Sequence, residues 1–371
     1  MEEHSLIVIS IFKPVEDPRI DRNKLYTLEE ILLVAFATIL CGGDSYTDMH
    51  DFGLSKLVFF KTLLPFENGI PSEDTFERVF SLLSPKQFEK CFVEWVDFIK
   101  KNEKDEIIAI DGKTLKRSGS KSIKPLHMVN AWACRNRLVL GCKATSEKSN
   151  EITAIPEVLE LLCLKNTIIT LDAMGCQTQI AQQIVDGKGD FVISLKGNQG
   201  ALHDDVRCFF ELENPLKNNA IEIHQNTTKD HGRIEMRTYG FCGKVAWLKK
   251  RNLNWKMING IGFVTSRRII NGQETRETRY YISTLKSDVN RFAEAVRLHW
   301  GVENNLHWLL DISYREDYSR VRDRNAATNL AIMRRIAINK YEQDTSIKRS
   351  KRRKRNLAAW DESYLKTLLL A

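Results

Sequence analysis

The sequence predicts an α/β protein: a small all-helical N-terminal domain, then a mixed α/β core interrupted by a β-rich insertion. Three observations carry this. The first hundred residues show capped, helix-period apolar stripes. Near Glu106 the pattern switches to short apolar runs alternating with single helical segments. From about Gly200 to Leu285, β-branched and aromatic residues with Gly and Asn turns prevail.

In the helical region, "YTLEEILLVAFATILCGG" places Thr27 and Glu30 at capping-box spacing before a long apolar run that Gly42 and Gly43 stop. "SPKQFEKCFVEWVDFIK" offers Ser84 as N-cap and Pro85 at the first helical position. Phe88, Cys91, Phe92, Trp95 and Ile99 then form one stripe. "IPSEDTFERVFSLLS" between them reads as another short capped helix.

The mixed core begins with "EIIAID", "HMVNAWACR" and "RLVLGCKAT", the last two joined by a tight Asn136 turn as a hairpin. A helix is predicted at about 153–164, with Pro156 in its first turn where it does little harm. "NTIITLDA" is a strand ending in Asp172, a helix follows near 177–185, and "DFVISLKGN" is another strand. Three strands, helix, strand, helix, strand is the order of an RNase H-like α/β core. After the insertion, helix resumes at "SDVNRFAEAVRLHWGVENNLHWLL". The domains expected are therefore 1–103, helical; 104–199 with 286–345, the split core; 200–285, the β-rich insertion; and 346–371, a basic C-terminal tail.

Composition narrows the class. A chain of 371 residues can bury a sizeable core. No apolar run reaches the roughly 18–20 residues that cross a bilayer. The start, "MEEHSLIVISIF", lacks a signal peptide's basic region and cleavage site. The expectation is a cytoplasmic protein with no membrane partner. The eight cysteines are scattered without a CxxC pair, which argues against zinc and disulfides. No repeat of 20–50 residues is evident. The net charge of +8 is concentrated: "KRSKRRKR", 348–355, holds seven basic residues and leaves about +1 for the rest. Such a block can neutralise phosphates by counterion release, with a solvated tail as the plainer reading.

The chemistry starts at "IIAIDGKTLKR". A carboxylate closing an apolar strand is costly unless a metal, cation or donor meets it. Asp111 and Asp172 both end such strands, and strands of parallel type ending together would bring both acids to one sheet edge. Divalent cations relieve the repulsion, because hard ions take carboxylates plus waters and phosphate oxygens. The third acid is expected from a helix against that edge. His299, Glu303 and His307 are spaced i, i+4, i+8, so Glu303 is expected mostly buried on a face turned toward the protein. Each residue has a plainer reading as well. A strand-end Asp is often a cap, and Glu303 could pair with Arg297 or His307. The His–Glu–His spacing could hold zinc, although HExxH is absent. Asp311, Glu316 and Asp317 are rival acids, in a stretch whose charge a solvated, salt-bridged surface explains.

Basic and polar residues are candidates for DNA contact. Lys113, Lys116 and Arg117 could guide a polyanion toward the acids. Lys196 and Asn198 in "SLKGNQG" could meet phosphate or sugar. "HGRIEMR" contributes His231, Arg233 and Arg237, and the basic block Lys351, Arg352 and Arg353. A Gly turn, a charged hairpin and a solvated tail are the respective alternatives.

Taken together, "GIPSEDTFERVFSLLSP", "IAIDGKTLKRS", "HMVNAW", "TLDAMGCQ", "DFVISLKGNQ", "HGRIEMR", "HWGVENNLHWLLD" and "LAAWDESYLKTLL" resemble, nearly end to end, the H-repeat-associated insertion-sequence transposases of the DDE superfamily. The resemblance implies a triad of Asp111, Asp172 and Glu303 on an RNase H-like core whose last acidic helix follows a β-rich insertion. It implies two Mg²⁺ ions roughly 3.5–4 Å apart, with Mn²⁺ as substitute, and metal-dependent phosphodiester cleavage and strand transfer. The implied partners are terminal inverted repeats, target DNA and a second copy of the chain. Related transposases carry Y-x2-R-x3-E-x6-K around the last acid, where this chain has Val296, His299, Glu303 and Leu310. The Arg and Lys roles are then expected of Arg297 and His299. Two other readings fit the same acids: a catalytically silent DNA-binding relic, and a metal-dependent nuclease that cuts without joining.

Overall fold

A computed structural model describes residues 6–22, 24–101, 103–145, 151–212, 220–230 and 233–370. The helical region holds α1 (Ile7–Phe12), α2 (Leu28–Cys41), α3 (Tyr46–Ser55), α4 (Leu57–Phe60), α5 (Glu73–Leu82) and α6 (Pro85–Ile99). The predicted capping box opens α2: Thr27 accepts from the Glu30 N–H, and Glu30 accepts from the Thr27 N–H. Buried Glu30 also accepts from the Phe66 N–H at 2.7 Å, tying the next loop to this helix start. In α6, Phe88, Cys91 and Phe92 of the predicted stripe are buried and Trp95 and Ile99 half-buried, while Val96, outside the predicted stripe, is buried as well.

The core follows as β1 (Ile107–Thr114), β2 (His127–Ala133), β3 (Leu138–Ala144), α7 (Glu151–Glu160), β4 (Ile168–Leu171), α8 (Thr178–Asp186) and β5 (Asp190–Leu195). β1, β2 and β3 are antiparallel, while β1, β4 and β5 are parallel neighbours. All four β4 residues are buried, as a strand covered on both faces requires. In the β2–β3 turn the left-handed residue is Arg137, not Asn136. The Asn136 side chain instead bonds to Lys101 and Glu106, holding the turn against the start of β1.

Next come α9 (Ala201–Leu212), β6 (Glu222–Asp230), β7 (Arg233–Cys242), α10 (Ala246–Arg251), β8 (Gly260–Ile270) and β9 (Gln273–Ser283). The insertion is not a separate β unit. β9 pairs antiparallel with β5, so the described strands form one nine-stranded sheet, in the order β3-β2-β1-β4-β5-β9-β8-β7-β6. Helix α9 corrects the expectation of little helical pattern here: Leu202, Val206 and Phe210, four apart, are its buried face. The β8–β9 turn at Asn271 and Gly272 has positive φ at both residues, the conformation an Asn-Gly hairpin favours.

The chain ends with α11 (Val289–His299), a π-helical segment (Val302–His307), α12 (Trp308–Ile312), α13 (Arg324–Gln343), α14 (Lys351–Trp360) and α15 (Glu362–Leu369). α13 packs on α2, α5, α6 and β3 at once. One apolar cluster accordingly runs from the N-terminal helices through the sheet to the last turn of the chain.

The expected basic tail is folded. Its helix α14 lies on α2, and its first turns are fixed by side chains that charge alone would assign to solvent. Lys354 is buried, donating to the Tyr341 carbonyl at 3.2 Å and pairing with Asp344 at 3.0 Å. Buried Arg355 donates to the Ile39 carbonyl and lies over the Tyr314 ring at 4.2 Å. Leu370 then bridges back to Leu6, joining the two ends of the described chain.

Candidate active site

β1 and β4 pair in register, Ala109 opposite Thr170. Two residues on, Asp111 and Asp172 therefore stand level on adjacent parallel strands. Asp111 is not the end of β1, contrary to the expectation from sequence. β4 stops at Leu171, but β2 goes on pairing to Thr114, with Asn130 opposite Asp111. Asp172 lines the cleft and also forms a turn: its Oδ1 accepts from the Met174 N–H at 2.9 Å and the Gly175 N–H at 3.1 Å.

Glu303 lines the same cleft, of about 220 Å³, together with Asp111, Asp172, Lys196, Arg279 and His299. It is exposed rather than mostly buried. The cause is local. α11 ends at His299, and residues 302–307 take the wider π turn, so spacing by four no longer marks one face. The three residues of the predicted stripe consequently do different things. His299 Nδ1 bonds Thr170 Oγ1 at 2.9 Å, and burial, with the Arg279 charge, lowers its pKa to about 4. His307 Nδ1 lies 3.6 Å from Asp111 Oδ2, and burial, with Arg335 and Lys113, lowers its pKa to about 3. Burial thus disfavours the charged form of both imidazoles.

The Asp111 carboxyl is pushed up to about 7. Burial is the main cause, followed by the negative charges of Glu151, Asp172 and Glu303 against one backbone hydrogen bond from Gly112. This is the electrostatics of carboxylates crowded without a cation between them. The all-carboxylate donor set suits a hard divalent ion, which prefers oxygen. Among the described residues no three acidic, His or Cys side chains already form a metal cage. An ion here would complete its shell with waters and phosphate oxygens. Asp111, Asp172 and Glu303 are the side chains that would hold it.

Glu151, at the start of α7, carries no signal in the sequence. Its Oε1 lies 2.7 Å from His127 Nε2, and it is the charge that weighs most on Asp111. The rival third acids are engaged elsewhere. Glu316 is fully buried, 2.7 Å from Arg335, which also donates to Asn130 at 2.7 Å behind the Asp111 strand. Asp311 and Asp317 hold Lys113, at 2.5 and 2.8 Å. The solvated surface expected for 315–324 is thus partly an interior ion-pair network.

Lys113 is accordingly a correction: it is buried and doubly paired, not available to guide DNA. Lys116 is exposed and held by Asp317 at 2.6 Å. Lys196 is exposed at the cleft mouth, whereas Asn198 donates to the Ala173 carbonyl at 2.8 Å and ties down the loop after Asp172. Lys351 is a second correction, pairing with Glu342 at 2.6 Å over the Trp132 ring. Arg352 and Arg353 are exposed. His231 lies outside the described residues.

Arg233, Arg237 and Arg297 are brought together, with Arg268 and Arg279, which the sequence did not single out. They line a trough of about 800 Å³ across β7, β8 and β9 that shares Arg279, Tyr281, Val296 and Trp300 with the acid cleft. Five arginines there face two glutamates. In its floor, Glu235 holds Arg233 and Arg237 at 2.6 Å and Arg268 at 2.9 Å. Burial works against its charge, but those arginines hold its carboxyl below the usual range. The signal lay in strand alternation: β7 and β8 side chains two apart share a face, and registry sets Glu235 opposite Arg268.

Comparison with known proteins adds the family. A transposase DDE domain matches residues 102–340, and a DDE_Tnp_1-associated domain matches residues 9–96. "Putative protein YbfL" of Escherichia coli K12 is 41% identical over 93% of this chain and 92% of its own length. "H repeat-associated putative transposase YhhI" of the same strain is 39% identical over 93% and 92%. "Putative transposase YncI" of E. coli O157:H7 is 37% identical over 96% and 92%. With its RNase H-like sheet and helical N-terminal region, the chain belongs to the H-repeat-associated insertion-sequence transposase family of the DDE superfamily.

Proposed function

We propose that this chain binds the terminal inverted repeats of its insertion sequence and catalyses cleavage and strand transfer into target DNA, using Asp111, Asp172 and Glu303 to hold divalent cations. The observation that carries the reading is one cleft receiving all three acids, joined to an arginine-lined trough. Bound Mg²⁺ or Mn²⁺ would supply Lewis acidity to the attacking and leaving oxygens. The chain's own groups do the rest. Arg233, Arg237, Arg268 and Arg297 bind the phosphodiester backbone, and Lys196 meets phosphate at the cleft mouth. Asp172, fixed by its turn, presents a carboxylate that does not wander. Thr170 orients His299 under the cleft. No protein nucleophile is required: burial pushes the Cys176 thiol, four residues beyond Asp172, up to about 12, which keeps it protonated. Two ends held together take two copies, so a homodimer on DNA belongs to the proposal.

The test is incubation of the purified chain with pre-cleaved end DNA, a target plasmid and Mg²⁺. Joined products are expected. Cutting without joining would favour a nuclease, and binding alone a silent relic. Gel filtration with end DNA checks the two-copy complex.

A further inference from the structure

We propose, on the strand-transfer reading of the cleft, that its flank opposite the arginine trough is a second DNA surface. There Arg117, Lys121, Lys124 and Arg315, grouped around Tyr318, take the phosphates of the target duplex.

Sheet order sets the position. In the run β2-β1-β4-β5-β9-β8-β7, the acids on β1 and after β4 stand between the trough strands and the connection from β1 to β2, residues 115–126. That connection prolongs β1 past Asp111. Lys113, two residues on, shares the Asp111 face of the strand and holds Asp311 and Asp317 at 2.5 and 2.8 Å. Lys116 meets Asp317 as well, at 2.6 Å. These pairs pin the connection to the turn after α12, on the Asp111 face of β1.

The charge left over is positive. Residues 113–126 hold five basic residues and no acid. The acids of the facing segment are already engaged: Asp311 and Asp317 by the two lysines, Glu316 by Arg335, and Asp323 by the Ala326 N–H at the start of α13. Arg117, Lys121 and Lys124 are exposed and, among the described residues, have no carboxylate within 4 Å. Arg315, its side chain 64% exposed, has Asp44 at 3.6 Å. Tyr318, 54% exposed, carries two guanidinium groups, Arg117 at 4.9 Å and Arg315 at 5.6 Å from its ring centre. A guanidinium held on a ring is ordered while its N–H donors stay free for phosphate oxygens. A merely solvated face calls for neither the missing acids nor an exposed ring between two arginines. Exposed Arg320 and Arg322 border a groove whose far wall is Glu73, Asp74 and Glu77 of α5, and these acids bound the surface on the side of the helical domain.

Strand transfer brings two duplexes to one set of acids, and the trough accommodates one. Cations on a connection and a turn neutralise backbone without reading bases, which suits a target of arbitrary sequence.

The experiment saturates the full chain with a duplex of its own terminal repeat, then adds a labelled duplex of unrelated sequence and reads its capture by fluorescence anisotropy. Combined Arg117→Gln, Lys121→Gln, Lys124→Gln and Arg315→Gln should weaken capture at least about 10-fold. The target concentration for half-maximal joining should rise by a similar factor, with end-duplex affinity and joining at saturating target unchanged. Tyr318→Leu, which removes the ring and no charge, should weaken capture less. Unchanged capture in the fourfold variant would overturn the proposal. Weakened end binding with capture intact would overturn it too, because the end would then lie on this face. Should the fourfold variant melt below the parent, Lys121→Gln with Lys124→Gln decides: weaker capture supports the surface, and unchanged capture overturns it. If the parent captures a second duplex through these residues but joins nothing, strand transfer fails and the DNA surface stands. If parent and variant join at the same half-maximal target concentration, the surface fails and strand transfer stands.

Discussion

Asp111 stands where the two pairings of β1 part: β4 has ended beside it, while β2 continues past it to Thr114. That places a carboxylate at the margin of the parallel sheet with a continuous strand behind it. Gly112 is the neighbour that makes room, since a Cβ there would overlap Glu151 Oε1 and His127 Nε2, and Gly112→Ala is expected to lower stability by about 1–3 kcal/mol through overpacking, as chemical denaturation would measure. No change would mean that Glu151 and His127 move aside freely. Asp111, Asp172 and Glu303 were legible as candidates because an acid closing an apolar run and a helical segment are local properties of sequence, although β1 runs on past Asp111 and the π turn leaves Glu303 exposed. Lys113 was not. Its partners Asp311 and Asp317 lie some two hundred residues away, and only the folded chain shows that this lysine is buried.

At the scale of elements, the segment after α11 decides how the third acid is presented. A regular helix through Glu303 would have kept His299, Glu303 and His307 on one buried face. The π turn instead sends His299 beneath the cleft and leaves Glu303 exposed at it. Helical periodicity locates such a segment but does not reveal the change of pitch. Behind β1 and β2, Glu316 and Arg335 form a fully buried pair that also grips Asn130. Removing one partner of such a pair costs about 3–5 kcal/mol, so Arg335→Met should lower stability by that order in a urea titration. Arg335 and Arg334 hold Glu316 below its ordinary 4.5, although burial opposes them. A carboxyl lowered in the folded state stabilises fully above the unfolded value and loses that contribution as pH falls through the folded one. Glu316→Gln should therefore be less stable at pH 7 and show a shallower loss of stability below about pH 4.5 than the parent chain. Parallel acid limbs would contradict the pairing.

Across the whole molecule, positive charge is distributed otherwise than composition implies. The block at 348–355 supplies most of the net charge, yet Lys351, Lys354 and Arg355 serve to dock α14 on the rest of the chain. Truncation after residue 345 would also strip the buried Leu365, Leu368 and Leu369, each worth roughly 1.5–3 kcal/mol. The truncated chain should melt lower or aggregate, as differential scanning calorimetry would register. The arginine trough was hidden because its members come from three strands and a helix. Replacing Arg233 and Arg297 by Gln should weaken DNA binding and reduce the slope of log affinity against log salt by about 1 for every phosphate no longer neutralised. An unchanged slope would remove the trough from the DNA path. The order of core elements, by contrast, was readable throughout, because each short apolar run and each capped stripe announces its own type.

The most direct measurement is single-turnover strand transfer of pre-cleaved end DNA, at saturating DNA and Mg²⁺, by Asp111→Asn, Asp172→Asn and Glu303→Gln beside the parent chain. Each amide should cut the rate at least about 100-fold, some 2.7 kcal/mol of barrier, with DNA affinity little changed. Near-parental joining by any one of them would show that the three carboxylates do not act together in this cleft.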